Sequence, residues 1–170
     1  MCKKLFALVT ALSLLLCLAL PVTAVEGDGL QVIVNDTVVA MDAPVQVWNQ
    51  TTYVSYWPVV QALYPTATAV WENDRAIVTA PGLRIEIRPG LKYLIANDRY
   101  LYLPDGVRTC DSILLVPVRT LAAALGASVS WDATGNSVVL TAGSGPITPG
   151  GVAYQEDVVY WLSHIINAES

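Results

Sequence analysis

The chain has 170 residues, 54% of them apolar, with 9 Lys and Arg against 14 Asp and Glu, three Cys and a single His. An acidic chain without a basic stripe excludes electrostatic binding of nucleic acid as its main task. One histidine, His164, excludes a multi-histidine metal site, and any Ser-His-Asp or Cys-His site would have to use it.

Residues 1–24 start with Lys3 and Lys4, run apolar from Leu5 to Leu20, and end on Pro21-Val22-Thr23-Ala24. A short basic start, an apolar run and small residues at a cleavage point form a secretory signal peptide, here an N-terminal signal helix. Its apolar run is too short for a membrane span, and Leu16 before Cys17 is bulky where lipoprotein processing wants a small residue. Cleavage after Ala24 leaves 146 of the 170 residues, with 7 basic residues against 14 acids and a formal charge of −7. The expected product is secreted, with no membrane contact once the signal is gone. It keeps one cysteine, Cys110, so no internal disulfide is expected and Cys110 is a small packing residue.

Residues 25–142 contain a repeat, copies spanning about 30–80 and 91–142, at an offset of 62. Asn35-Asp36 falls on Asn97-Asp98, Val54 on Val116, Ala62 on Ala124 and Leu63 on Leu125. Two extra residues in the first copy then bring Trp71 onto Trp131 at an offset of 60. Each copy alternates short β-rich runs with Asn- and Asp-containing turns, whose side chains tolerate left-handed backbone. TAVW is expected to pair with AIVTA across Glu72-Asn73-Asp74-Arg75, and VSW with VVLT across residues 133–136. Each copy also holds one short helix. The second starts at Pro117, packs Leu121, Ala122, Ala124 and Leu125, and ends at Gly126; the first starts near Pro58 and runs to Tyr64-Pro65. The fold class is therefore α+β, mostly β. Trp71 and Trp131, recurring inside strand patterns, are expected in the core. Trp48 and Trp57, confined to the first copy, are assigned to packing, with stacking on sugar rings as the alternative.

Val116-Pro117-Val118-Arg119, Ala124-Leu125-Gly126-Ala127 and Val129-Ser130-Trp131-Asp132 resemble the motifs of the exported stalk domain also called the copper amine oxidase N-terminal-like domain. The first copy departs from the pattern: Val54-Ser55-Tyr56-Trp57 lacks the Pro and Arg, and Tyr64-Pro65 stands in place of the glycine junction. The resemblance implies a spacer or binding module of the bacterial cell envelope. The absence of histidine from this region argues against a copper cofactor, since copper(II) sites of this kind use imidazole ligands. No cofactor and no metal ligand are expected.

Residues 143–153 follow, and the run AGSGPITPGG at 142–151 has four Gly and two Pro, the composition of a linker. Residues 154–170 then have helical periodicity: Glu156 and Asp157 sit in the first turn, and Val158, Leu162, Ile165 and Glu169 share one face. A carboxyl on an apolar stripe has its charged form disfavoured, which suits a general acid. This segment resembles the opening of the spore-cortex-lytic (SleB-like) cell wall hydrolase domain, whose catalytic acid carries over to Glu169. Ser163 and His164 stand where many members have Ala and Arg. The implied reaction cleaves the peptidoglycan glycan strand, Glu169 protonating the glycosidic oxygen. In a lytic transglycosylase it would then act as base for ring closure, with no second carboxylate needed. The expected protein is thus the N-terminal portion of a peptidoglycan hydrolase, cut just past its acid, with wall polymer as partner. The alternative is a non-catalytic envelope stalk or binding protein.

Overall fold

The computed structural model describes residues 29–150; the signal peptide expected over 1–24 and the helix expected over 154–170, with Glu169, lie outside the described residues. The first repeat supplies β1 (Gln31–Val34), β2 (Thr37–Val38), β3 (Gln46–Trp48), β4 (Thr51–Ser55), α1 (Tyr56–Leu63), β5 (Thr68–Glu72) and β6 (Arg75–Ala80). After β7 (Leu83–Ile87), the second supplies β8 (Tyr93–Ala96), β9 (Arg99–Tyr102), β10 (Arg108–Cys110), β11 (Ile113–Pro117), α2 (Val118–Leu125), β12 (Ala127–Asp132) and β13 (Ser137–Ala142). The described chain is mostly β with two short helices, an α+β arrangement as the sequence pattern predicts.

The repeats are consecutive in sequence but exchange strands in space. Three sheets have the orders β12-β13-β1-β2, β10-β11-β4-β3 and β5-β6-β7-β8-β9, and each draws on both repeats. In the second, β4 and β11 pair antiparallel with Val54 opposite Val116, the pair related by the repeat offset. Equivalent residues facing each other place a pseudo-twofold axis at that pair. The axis relates the hairpin pairs of the other two sheets. In one, β13 joins β1 directly and parallel; in the other, β7 is inserted between β6 and β8. β7 belongs to neither repeat, yet its LRIEI alternation buries Leu83, Ile85 and Ile87 against the core.

Turn chemistry sets the register. Asn35-Asp36, Asn49-Gln50, Asn73-Asp74, Asn97-Asp98 and Asp111-Ser112 each have positive φ at both residues, the type I′ geometry that matches strand twist. Asn35 and its repeat mate Asn97 use their side chains alike. Asn35 Oδ1 accepts from the Ala142 N–H at 2.9 Å, and Asn97 Oδ1 from the Arg84 N–H at 2.7 Å. Each satisfies a donor of the neighbouring strand.

Both helices pack at the centre. α2 buries Val118, Leu121, Ala122, Ala124 and Leu125 and ends at Gly126 in left-handed geometry, as expected. α1 starts two residues before Pro58 and buries Pro58, Val59 and Val60. Tyr64, which replaces the glycine junction, donates its hydroxyl to the Leu125 carbonyl at 2.8 Å, so the first repeat caps the helix of the second.

Two expectations about tryptophan are corrected. Trp71 and Trp131 are 59% and 52% exposed. They stand opposite buried Ala76 and Val138, so they are on the core side of their sheets. Their strands, β5 and β12, are outermost, and the indoles overhang the core's margin instead of entering it.

Residues 143–150 are bound to the domain. The Ile147 N–H donates to the Ala124 carbonyl, Asn97 Nδ2 to the Ile147 carbonyl at 2.8 Å, Arg99 Nε to the Thr148 carbonyl, and the Gly150 N–H to the Asn97 carbonyl. Ile147 also packs against the core. The Gly- and Pro-rich composition that marks a linker here serves close packing: the Gly145 carbonyl oxygen lies where a Cβ on Gly126 would be.

Candidate functional site

An open groove of about 350 Å³ lies where α1, β5 and the β10–β11 turn meet. Asp42, Tyr56, Trp57, Trp71 and Ser112 line its walls, with Ser55, Ala69, Ile113 and Leu114 completing it. The fold explains why these residues converge. Ser55-Tyr56-Trp57 turns from β4 into α1, Trp71 overhangs the edge of β5, and Ser112 comes from the other repeat because β11 pairs with β4.

The Tyr56 and Trp57 rings stand 6.4 Å apart at 58°, a tilted pair that presents two apolar surfaces at different angles. Trp57 is half-buried against the core, which fixes its ring, while Trp71 is open to solvent. Burial, and then the nearby Asp42 carboxylate, push the Tyr56 hydroxyl above its ordinary pKa of 10.0, so it remains a donor at neutral pH. Ser55 is fully buried, and its hydroxyl meets the Met41 sulfur at 3.8 Å. The groove thus offers apolar rings, one carboxylate acceptor and hydroxyl groups. Such a lining combines apolar contact area with a few hydrogen-bonding groups, the general make-up of a small-molecule site.

Trp48 has a different setting from Trp57. It is 48% exposed, and the Arg108 guanidinium lies 4.1 Å from its ring centroid. Arg108 is on β10 and Trp48 on β3, the two edges of one four-stranded sheet, so this contact brings those edges together. Asn49 Nδ2 donates to Asp105 Oδ1 at 2.9 Å nearby, and the buried Tyr53 hydroxyl donates to the Gly106 carbonyl. Cys110 packs with Ile113 beside buried Ala43, Tyr53 and Leu115.

Sequence reasoning assigned Trp57 to packing, with stacking on sugar rings as the alternative, placed Trp71 in the core, and gave no role to Asp42, Tyr56 or Ser112. Their convergence depends on the strand exchange, which repeat matching does not reveal. Glu169 lies outside the described residues. Among the described residues no group of three His, Cys, Asp or Glu is placed to hold a metal ion, and they include no histidine, so the side chains do not fit a copper centre.

Comparison with curated proteins and with solved structures gives no match. The family model described as the copper amine oxidase N-terminal domain matches residues 33–144, from β1 through the end of β13 and the first residues bound over α2. The match covers well over half of the chain and includes every residue lining the groove, and the chain therefore belongs to the copper amine oxidase N-terminal domain family.

Proposed function

We propose that this chain is the leading part of an exported bacterial cell-wall protein. Its β-rich domain holds the glycan strand of the wall in the groove, and residue 154 opens a peptidoglycan hydrolase domain with Glu169 as its acid. The carrying observation is the groove itself, with Tyr56, Trp57 and Trp71 around the Asp42 carboxylate. Trp71 gives a flat face to the apolar side of an N-acetylhexosamine, and Asp42, Tyr56 and Ser112 meet its hydroxyl and amide groups. Supporting the export reading is the signal layout of residues 1–24; supporting the hydrolase reading is the resemblance of residues 154–170.

Titration with an N-acetylglucosamine tetramer, followed by tryptophan fluorescence, tests the groove. The expected result is saturable binding that Trp71→Ala weakens about tenfold, the worth of one aromatic stack. Binding untouched by Trp71→Ala removes the groove from the account. For the hydrolase, Glu169→Gln in a protein with the whole catalytic domain should abolish cleavage, with 1,6-anhydromuramyl ends as the wild-type product if it is a transglycosylase. Full activity of Glu169→Gln removes Glu169 from the site. The reading of a non-catalytic envelope binding module is favoured by one observation: the groove lies wholly within residues 42–114, so binding requires nothing of the segment that resembles a hydrolase.

A further inference from the structure

The five-stranded sheet has a second face. Its register puts Val70, Ile77, Glu86, Ile95 and Tyr100 in one row across all five strands, turned away from buried Val78, Ile85 and Leu94. Tyr93 and Tyr102, paired on β8 and β9, share that face two residues along from Ile95 and Tyr100. The one carboxylate in the row is bonded from both sides: Glu86 accepts from Arg75 at 2.7 Å and from Arg84 at 2.6 Å. The rest of the row is apolar and edged with tyrosine rings.

Burial on this face is uneven. Val70 and Tyr102, on the two outermost strands, are 56% and 55% exposed, but Ile77 is 9% and Tyr93 7% exposed, as low as residues of the core. Both described helices pack with the residues of the other face, in a core cluster to which Ile77 and Tyr93 do not belong. Neither helix supplies their burial, so the middle of the face calls for a cover of its own.

The chain offers one. Gly150, the last described residue, donates its N–H to the Asn97 carbonyl at 2.9 Å in the β8–β9 turn, so the backbone has arrived at the end of this sheet. Residues 151–153 can span roughly 10 Å, enough to pass round the turn to the outer face. Residues 154–170 have helical periodicity, and Val158, Val159, Trp161, Leu162, Ile165 and Ile166 fall on one half of such a helix. A helix of that length is about 25 Å long. The face is about 19 Å across its four strand spacings and about 17 Å along a five-residue strand.

We propose that residues 154–170 dock on this face as a helix, their apolar half lying on Ile77, Ile95 and the tyrosines. The helix is longer than the face along either axis, so its last turn, with Glu169, extends past the sheet and stays available to the proposed hydrolase site. The docking depends on neither the Trp71 groove, which opens on the core side of the sheet, nor the hydrolase reading.

Amide NMR spectra and chymotrypsin digestion of residues 25–170 test it, comparing wild type with Ile165→Asp. Ile165 is outside the described domain, so its replacement takes nothing from that domain's core. Changed amide shifts are expected at Ile77, Glu86, Ile95 and Tyr100, with β12 and β13 unmoved. Cleavage beside Tyr160 and Trp161 should quicken about tenfold as the undocked form gains population. Asn167→Asp, on the polar half of the helix, should match wild type in both readings. Trp71→Ala should also leave the docking intact, which separates its failure from failure of the groove. Shifts confined to the groove, shifts that vary with protein concentration as for docking on a second copy, or spectra and cleavage indifferent to Ile165→Asp would each overturn the proposal.

Discussion

Replacing Gly126 by Ala perturbs two things that the structure separates. Gly126 has φ of +68°, a left-handed conformation that costs a residue with a Cβ about 1 kcal/mol. The new Cβ would also meet the Gly145 carbonyl oxygen, a backbone atom that cannot swing aside. Relief requires residues 145–150 to lift, breaking the bonds from the Ile147 N–H to Ala124, from Asn97 Nδ2 to the Ile147 carbonyl and from the Gly150 N–H to Asn97. Each is worth about 1 kcal/mol net, and part of that is regained as chain entropy. The total is roughly 2–3 kcal/mol, a fall in Tm of about 8–12 °C for a domain of this size. Thermal unfolding followed by circular dichroism measures it, and hydrogen exchange at the Ile147 and Gly150 amides reports whether the segment has lifted. Gly29→Ala, where a Cβ meets nothing within 4 Å, is the control and should stay within about 0.5 kcal/mol of wild type. A Gly126→Ala protein as stable as that control, with both amides still protected, would refute the reasoning.

Other consequences are simpler to measure. Tyr64→Phe keeps the ring but loses the bond to the Leu125 carbonyl, and should cost about 1 kcal/mol in urea unfolding. Asn97→Ala removes the acceptor for Arg84 and the donor to Gly82 and Ile147 at a positive φ; it should cost more than Asn35→Ala, whose side chain satisfies Ala142, by about 1 kcal/mol in the same assay. Burial raises the Glu86 pKa, but hydrogen bonds and charge from Arg75 and Arg84 outweigh it and hold the carboxyl below its ordinary 4.5. Its contribution to stability is therefore complete above about pH 4.5 and lost as pH falls through the lower folded value. Arg84→Ala should flatten that acid dependence, read as Tm against pH.

Sequence made the local structure legible because local chemistry determines it. Asn73-Asp74 specifies the type I′ turn of β5–β6, the Ala-Thr-Gly-Asn run at 133–136 the turn of β12–β13, and Gly126 the left-handed end of α2, so these lie where the residues place them. What a repeat cannot reveal is which copy a strand pairs with. β1 joins β13 and β4 joins β11, contacts between residues far apart in the chain whose pairing rests on packing alone. Trp71 shows the consequence. Its position in a strand and its core-side orientation were both readable, but exposure depends on β5 being the last strand of its sheet. The groove inherits that difficulty, since Ser112 reaches Tyr56 and Trp71 only through the exchange. A signal was present in the first-copy departures: Tyr56-Trp57 stands where the second copy has Val118-Arg119, and Tyr64 where it has Gly126. Each departure has a structural use. The binding of residues 143–150 was hidden because Gly and Pro serve a free linker and a closely packed backbone equally well.

The central claim is that this domain holds the cell wall through the Tyr56–Trp57–Trp71 groove. Co-sedimentation with purified peptidoglycan sacculi, comparing wild type with Trp71→Ala at matched melting temperature, tests it most directly. The account predicts wild-type protein in the pellet and the exposed-indole variant largely in the supernatant. A wild type that stays in solution, or a Trp71→Ala protein that pellets as fully as wild type, would contradict it.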